Sequence, residues 1–532
     1  MRPKVLPSIL TGLLLYLSWP VGGFAALLFI GFVPLLWVEH QLYVQRAALY
    51  KVFLLAYIAF VIWNFLTSWW LHYATVAGAL FTVLVNAGLM SLVFWLYAFT
   101  KRKCRPPLAL LFLVCAWLGL EKLHLIWEFA WPWLNLGNGF AANPKWIQWY
   151  EYTGTFGGSL WVWWVNSGVF ISLLKFSKTK DKAHIMRGLC FCILKIGLPI
   201  AASAYIFSHY REAAQNASIL VLQPNLNPYT EKFHKSNVQT ARDLISLSQR
   251  ADTGRFDYII APETALNKPI DLSDPMRYPS IRLIKNFTWQ HPQTAFITGA
   301  ESQKIYRNAK RLPDDANPFA DGSGGFQSFN SALQIDAQDS LQVYHKSKLV
   351  AAVEVIPYRS LTEKILGRNM IDLGSTSVSL ATQKTRSVFK NAANHFVAAP
   401  IICFESVFGE FVTGYVKNGA NWLCIITNDG WWEKTQGYRQ HLAYARLRAI
   451  ENRRSVARSA NTGVSAFISE RGIVQKRLNY NIRGCLNGTI SIQTQQTFYT
   501  LYGDYIARIA IFIGALLFLY ALVNAIQSRI KA

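Results

Sequence analysis

Hydrophobic positions are distributed in two ways along the chain. Long apolar runs fill residues 1–210 and return after residue 504, whereas 211–504 alternates short apolar runs with polar stretches. A bilayer core takes about 20 apolar residues per helix, and the runs predict spans at 5–18, 22–38, 50–70, 75–99, 107–126, 158–175, 188–208 and 505–526, eight helices in all. The first run follows Met1-Arg2-Pro3-Lys4, the charged head of a secretory signal. A second apolar run follows almost at once, which favours a retained helix. Segment 127–157 breaks the pattern with WPWLNLGNGF and NPKW. Such turn-rich, Trp-rich stretches suit the membrane–water interface, and this one reads equally as an interfacial anchor or as part of a lipid-facing entrance.

In the middle region ASILVLQPN, FDYIIAPET, TAFITGAE, SALQID, LQVYHK, FVAAPIICFES, WLCIITND and SVARSANTGVSAFIS read as strands. Residues 231–250 and 437–452 read as helices, the second with Leu442, Ala445, Ala449 and Ile450 along one face. Strands interleaved with helices predict an α/β layered domain. The expected organisation is a helical membrane domain over 1–210 with seven helices, an α/β catalytic domain over 211–504, and a last helix with its tail over 505–532.

Composition sharpens the division. Only 15% of the 532 residues are charged and 52% are hydrophobic, against about 25% charged in soluble domains. The formal net charge of +24 is not that of a nucleic-acid binder, because the basic residues cluster in short loops between apolar runs. Lys101, Arg102, Lys103 and Arg105 fill one loop; Lys175, Lys178, Lys180, Lys182 and Arg187 fill another. With eight spans, the tendency of basic loops to stay inside places both termini in the cytoplasm and the α/β domain outside. The seven cysteines form no CxxC pair, so neither a zinc site nor a disulfide framework is signalled, and no metal or cofactor is expected.

Three residues lie where an apolar run ends: Glu263 after DYIIA, Lys346 after LQVY and Cys403 after VAAPII. Each has a bland reading, as a turn residue, a solvated lysine and a core thiol. Together they make a chemistry. A thiolate is the nucleophile, a carboxylate in hydrogen-bond reach takes the thiol proton, and a fixed ammonium supports the oxyanion of a tetrahedral intermediate. That set suffices for covalent acyl transfer, while a serine triad lacks its G-x-S-x-G elbow.

The stretches APETAL (261–266), SFNSALQID (328–336), YHKSKLV (344–350), ICFES (402–406), ITNDGWW (426–432), QHLAYARLRAIENRR (440–454), ARSANTGVS (457–465) and TFYTLYGDY (497–505) carry a resemblance over nearly the whole chain. With PVGGFAALLFIGFVPLLW and WPWLNLGNG in the membrane half, the sequence resembles the carbon–nitrogen hydrolase (nitrilase) superfamily and, within it, the bacterial apolipoprotein N-acyltransferases. The resemblance implies a nitrilase-like α-β-β-α sandwich on the periplasmic side of the inner membrane. It implies Glu263 as general base, Lys346 as stabiliser of the tetrahedral intermediate and Cys403 as nucleophile, with Glu354 and Glu405 supporting the site. An acyl chain would pass from a membrane phospholipid through a cysteine thioester to the N-terminal amine of a diacylated apolipoprotein, in a monomeric enzyme. The departures are Ala351-Ala352-Val353 before Glu354, where the family has Pro and Gly, Phe404 where it often has Tyr, and Tyr229 and Phe233 where it tends to have Trp. Trp431 and Trp432 are candidates for lining an acyl route or for packing. The Arg446, Arg448, Arg453 and Arg454 helix reads as core support with a solvated face. Two rival readings remain: a membrane-tethered amidase or nitrilase, and a transporter or scaffold with a degenerate hydrolase-like domain.

Overall fold

The apolar runs of the first 210 residues become helices whose starts are set by local chemistry. Proline opens the helices at Val33 and Pro106, where a missing N–H costs nothing, and the Thr75 hydroxyl caps the one beginning at Val76. The structure, a computed structural model, describes residues 2–530 apart from 233, 252–253, 310, 339–340, 352, 359–363 and 365–378. The expectations for Phe233 and Ala352 therefore lie outside the described residues. The chain divides into two compact units, Met1–Tyr210 with Tyr502–Ala532, and Arg211–Leu501.

The first unit contains α1 (Arg2–Leu17), α2 (Val33–Val44), α3 (Leu49–Ser68), α4 (Val76–Lys101), α5 (Pro106–Ile126), α6 (Tyr150–Thr179), α7 (Lys182–His209) and the C-terminal helix Tyr505–Ile530. Among the described residues six helical stretches are long and apolar enough to cross a membrane: Ala25–Val44, Leu49–Tyr73, Val76–Lys101, Pro106–Ile126, Lys182–His209 and Tyr505–Ser528. The expected count of eight is therefore too high by that measure. The other two runs are helical but fall short for different reasons. The apolar part of α1, Lys4–Leu17, is too short. Helix α6 is long enough, but it carries polar groups that it satisfies inside the unit. Asn166 accepts from the Phe32 amide at 2.9 Å and donates to the Leu28 and Val162 carbonyls at 2.7 and 2.8 Å.

Aromatic rings fill the interior of this unit. Phe32 stacks on Trp163 at 4.4 Å and meets Trp117 edge-on at 5.0 Å. Segment 127–157 is mixed: residues 132–141 are buried, while Trp127, Trp131, Trp146 and Trp149 are half-buried. Its short 3₁₀ turns bury Trp133, Leu134, Leu136 and Phe140. The Glu121 carboxylate secures them by accepting from the Leu136 amide at 2.8 Å and from Ser159 at 2.6 Å. Polar, turn-forming residues serve here to close a buried loop.

The second unit is built on two sheets. One runs in the order β14 (Gly484–Ser491), β1 (Asn216–Gln223), β2 (Tyr258–Ile260), β4 (Ala295–Arg307), β6 (Gly324–Ile335), β5 (Asn317–Pro318). In the same sheet β3 (Leu266–Asp271) pairs with β4, and β7 (Gln342–His345) with β6. The other runs β13 (Val474–Leu478), β12 (Ser465–Ile468), β11 (Val456–Ala460), β10 (Trp422–Thr427), β9 (Val397–Ile402), β8 (Phe389–Lys390). Strand β1 faces β11 across the gap, where the Ser459 hydroxyl donates to the Leu222 carbonyl at 2.7 Å. Helices α8 (Asn237–Gln249) and α9 (Pro279–Gln290) cover the first sheet, and Gly409–Lys417 and Gly437–Asn452 cover the second. The α-β-β-α sandwich explains why β1, β2 and β10 read as continuous apolar runs: both faces of each strand are covered.

Candidate active site

Two parallel strands deliver two of the expected residues, and an antiparallel one delivers the third. Strand β2 lies parallel between β1 and β4 and ends three residues before Glu263. Strand β9 pairs in parallel with β10 and ends immediately before Cys403. Strand β7 pairs antiparallel with β6 and ends immediately before Lys346. The backbone at two of these ends is strained. Cys403 has φ +51° and Thr264, next to Glu263, has φ +45°; both are in the left-handed region that a side chain other than glycine's disfavours. Such strain persists only where surrounding contacts over-determine it, and it gathers at functional sites. Gly299 belongs to the same corner, because a Cβ there would lie 2.6 Å from the Glu263 Cα.

The three side chains are buried, and the two charged ones touch. Lys346 Nζ donates to Glu263 Oε1 at 2.9 Å and to Glu354 Oε1 at 2.8 Å. Asn330 Nδ2 donates to the same two carboxylates at 2.8 and 3.1 Å, and the Asn428 amide donates to Glu263 Oε2 at 3.0 Å. Burial penalises the Glu263 charge, but the Lys346 ammonium, its hydrogen bond and that of Asn330 outweigh burial and hold the carboxyl below its ordinary value. Burial likewise works against the Lys346 charge, yet Glu263 and Glu354 hold it well above the usual lysine range. The Cys403 thiol goes up, by burial first and then by the Glu263 charge, with Lys346 and the Thr427 hydroxyl working the other way. The resting arrangement is thus a thiol beside a carboxylate and an ammonium.

The two further glutamates take different places. Glu354 reaches Lys346 despite the altered residues before it, because the Val350 amide donates to its Oε2 at 2.9 Å and its own amide donates to the Val350 carbonyl, also at 2.9 Å. Glu405 is fully buried and bridges the two strand ends. Its Oε1 accepts from Tyr344 Oη and the Ser347 amide, both at 2.6 Å, and its Oε2 accepts from the Ile402 amide at 2.8 Å. Burial pushes its carboxyl up to about 7 against the pull of these donors. Phe404 packs edge-on against Phe408 at 5.1 Å, in the core. Trp431 and Trp432 are half-buried. The first meets Tyr229 at 5.3 Å and the second meets His441 at 5.4 Å, both edge-on.

Some site residues escaped the reading of single positions. Lys232 is buried, and its ammonium donates to the Thr264 hydroxyl; burial lowers its pKa to about 8 against the pull of Glu263, Glu301 and Cys403. With the Asn428 amide turned over, its oxygen accepts from Lys232 Nζ at 3.2 Å. Asn330 and Asn428 were visible only as members of SFNSALQID and ITNDGWW. The arginine helix is corrected. Gly437–Asn452 is buried on nearly every side, with Arg448 on Glu451 at 2.9 Å and on the Val407 carbonyl at 3.1 Å; Arg448, Arg453 and Arg454 are buried and Arg446 half-buried, so these arginines serve mainly the interior. Among the described residues no cluster of His, Cys, Asp and Glu is arranged to hold a metal.

Comparison with known proteins places these features in a wider set. Residues 11–168 match the apolipoprotein N-acyltransferase N-terminal domain, and residues 221–499 match the carbon–nitrogen hydrolase domain. An apolipoprotein N-acyltransferase of Chlorobaculum tepidum is 28% identical over 99% of this chain and 97% of its own. One from Geobacter metallireducens is 24% identical over 95% of this chain and 93% of its own. A CN-hydrolase superfamily protein of Xanthomonas campestris, solved by crystallography, is 18% identical over 52% of this chain and 91% of its own, with a TM-score of 0.35.

Proposed function

Because the chain belongs to the carbon–nitrogen hydrolase family, we propose that its buried Glu263, Lys346 and Cys403 carry a two-stage acyl transfer from a membrane phospholipid to a lipoprotein. The chain is a membrane acyltransferase that N-acylates lipoproteins, as its N-terminal domain and its relatives along the full length indicate. The observation that carries the chemical reading is the double carboxylate on Lys346 beside a strained, buried thiol.

In the first stage Cys403 Sγ attacks the ester carbonyl of the phospholipid, and Glu263 takes the thiol proton. Lys346 uses two of its three N–H donors on Glu263 and Glu354 among the described residues, so a third is left for the oxyanion. The C–O bond then breaks, Glu263 returns the proton to the leaving alkoxide, and a lysophospholipid departs from an acyl-Cys403 thioester. In the second stage the amine of the diacylglyceryl-cysteine attacks the thioester. Its proton passes through Glu263 to the departing sulfur, leaving an amide and the free thiol. A raised thiol and a lowered carboxyl make free thiolate scarce at rest, so the proton moves as the S–C bond forms and the thiol is kept from adventitious chemistry.

The proposed setting is the periplasmic side of the bacterial inner membrane, with 211–504 as the catalytic domain and a monomer as the working unit. The clustering of Lys and Arg in 101–105 and 175–187 supports that orientation if α1 and α6 also cross, because only then do both basic clusters fall on one side. Incubating the purified protein with phospholipid labelled in its acyl chains, followed by mass spectrometry of the Cys403 peptide, tests the reading. An acyl adduct is expected that disappears on adding an N-terminal diacylglyceryl-cysteine peptide. Absence of any adduct on Cys403, with release of ammonia from small amides instead, would establish the amidase reading.

A further inference from the structure

Behind Cys403 runs a chain of buried polar groups that the acyl-transfer chemistry does not itself use. The Cys403 carbonyl oxygen lies 3.1 Å from His441 Nε2 and accepts from the Ser406 hydroxyl at 2.8 Å. His441 Nε2 also lies 2.9 Å from the Ser406 hydroxyl; that hydroxyl donates to the carbonyl and the carbonyl only accepts, so a proton on Nε2 serves both, holding the carbonyl directly and through Ser406. On its other side His441 Nδ1 lies 3.1 Å from the Arg458 guanidinium, which donates to it when the proton is on Nε2, and 3.0 Å from Asp429 Oδ1. Asp429 in turn accepts from the Thr427 hydroxyl at 2.8 Å and from Arg458 at 2.7 Å. Arg458 is anchored by donating to the Val464 carbonyl at 2.6 Å. Asp429, His441, Arg458, Ser406 and Thr427 are all fully buried.

The parts come from separate places in the chain: the end of β10, helix Gly437–Asn452, strand β11 and the turn that Cys403 opens. Two of these groups, His441 and Ser406, reach one backbone carbonyl, and the others hold His441, so that each buried polar group finds a partner. The carbonyl that they hold belongs to the residue with φ +51°. Gly463 is part of the same construction, since a Cβ there would press on the Asp429 carboxylate.

We infer that His441, oriented by Arg458 and Asp429, is a positioning residue that locks the Cys403 backbone in its strained conformation and so aims the thiol. The inference rests on Cys403 being the acyl-accepting nucleophile. Without the histidine donor the turn relaxes toward an unstrained φ and the sulfur shifts. A shift of about 1 Å in a reacting atom costs on the order of 10²-fold in rate. His441 itself touches no reacting atom.

The test is a comparison of His441→Ala and His441→Gln in the full-length protein, with labelled phospholipid as acyl donor and acyl-Cys403 as the readout. The glutamine amide nitrogen also donates near the Nε2 position, and the alanine methyl does not. His441→Ala should lower the maximal rate of adduct formation by about tenfold to a hundredfold with the half-saturating phospholipid concentration unchanged. His441→Gln should recover most of that loss. Rates are expressed per folded molecule, with folding followed by resistance to proteolysis. If His441→Ala does not accumulate, His441→Asn, whose shorter side chain sets its amide short of the Cys403 carbonyl, takes its place with the same expectation. Equal losses in the alanine and glutamine variants, or a loss confined to half-saturation, would overturn the inference. Absence of an adduct on the unaltered protein would instead overturn the acyl-transfer reading on which it rests.

Discussion

Each unit buries a lysine that is ion-paired with a glutamate, Lys101 with Glu39 and Lys346 with Glu263, and the two pairs are built differently. In the membrane unit Lys101 Nζ meets Glu39 at 2.5 Å, and rings rather than further charges surround it: Tyr43, Tyr97 and Phe170 lie 4.9, 5.3 and 6.0 Å below the ammonium. One cation faces one anion, and aromatic faces take up the remaining field. In the other unit Lys346 faces two carboxylates, two amides share them, and the neighbouring backbone is strained at Thr264 and Cys403. The first pair is electrically closed. The second gathers more charges, with Lys232 as a further buried cation drawn by Glu263 and Glu301, and Lys346 keeps a donor not engaged among the described residues, which leaves it something to do when a substrate carbonyl arrives. Burial alone therefore does not mark a site; the gathering of charge and the strain beside it do.

The widest gap between the pairs should appear when each lysine is replaced. Lys346→Met leaves Glu263 and Glu354 without the ammonium that bonds to both, and it removes the oxyanion donor. Acyl-Cys403 formation should fall by about 10²–10³-fold, the cost of one such donor, and stability should drop as well. Lys101→Met should cost about 3–5 kcal/mol, the usual penalty for stranding one member of a buried pair. Its rate of adduct formation per folded molecule should stay within about twofold, because uncoupled sites leave each other's energetics alone. Thermal unfolding in detergent and adduct kinetics on the same samples separate the two outcomes. A rate loss in Lys101→Met matching that in Lys346→Met would erase the distinction between a closed pair and an open one.

A smaller effect concerns pH, and it sets two carboxylates of the same unit against each other. Glu405 has its carboxyl raised from 4.5 to about 7 by burial. The folded chain thus holds that proton more tightly than the unfolded chain does, and the stabilisation is complete below about pH 4.5. It is lost as pH rises toward 7, by about 3 kcal/mol at about 1.4 kcal/mol per pH unit. Glu263, lowered by Lys346 against the effect of burial, has the opposite sign. Its contribution is present above the ordinary carboxylate range and disappears as pH falls below it. Unfolding by denaturant across pH 3–8 should therefore show a loss of stability at each end, and Glu405→Gln should flatten the slope between about pH 4.5 and 7. An unchanged slope in that variant would remove Glu405 as its source.

The same contrast shows what the sequence could disclose. The apolar runs in the first unit became helices, but two of the eight expected spans fall short: α1 is too short, and α6 carries polar residues such as Asn166 and Ser159, which it satisfies with hydrogen bonds inside the unit. Strand ends marked Glu263, Lys346 and Cys403, since a strand leaving a covered sheet changes abruptly from apolar to polar. The residues that hold them in place were legible only as parts of motifs. Asn330, Asn428, Asp429, His441 and Arg458 act through contacts between segments far apart in sequence, and no local periodicity encodes such contacts. In the Trp-rich segment 127–157 the buried part, 132–141, was not legible for a related reason. Aromatic and turn residues suit an interface, but here buried Glu121 supplies the hydrogen bonds that let them lie inside the unit.

The finest test of the open pair is its second carboxylate. Glu354 accepts from Lys346 at 2.8 Å, from Asn330 at 3.1 Å and from the Val350 amide at 2.9 Å, and it is the more exposed of the two glutamates, at 15% against 7%. Glu354→Gln keeps the shape and an oxygen for one of the donors, but it removes one negative charge from the ammonium. Lys346 would then be paired one to one with Glu263, as Lys101 is with Glu39. A lysine drawn fully onto the base serves the oxyanion less well and weakens the base it neutralises. Adduct formation should fall by about tenfold, corresponding to about 1.4 kcal/mol of lost transition-state stabilisation, with stability changed by less than in Lys346→Met. Glu354→Ala should cost more, because it also strands the Val350 amide and half of the Asn330 contact. If Glu354→Gln instead formed the adduct at the original rate, the second carboxylate would be a support for the 350–354 turn alone, and the site's distinction from the closed pair would rest on strain and the nucleophile.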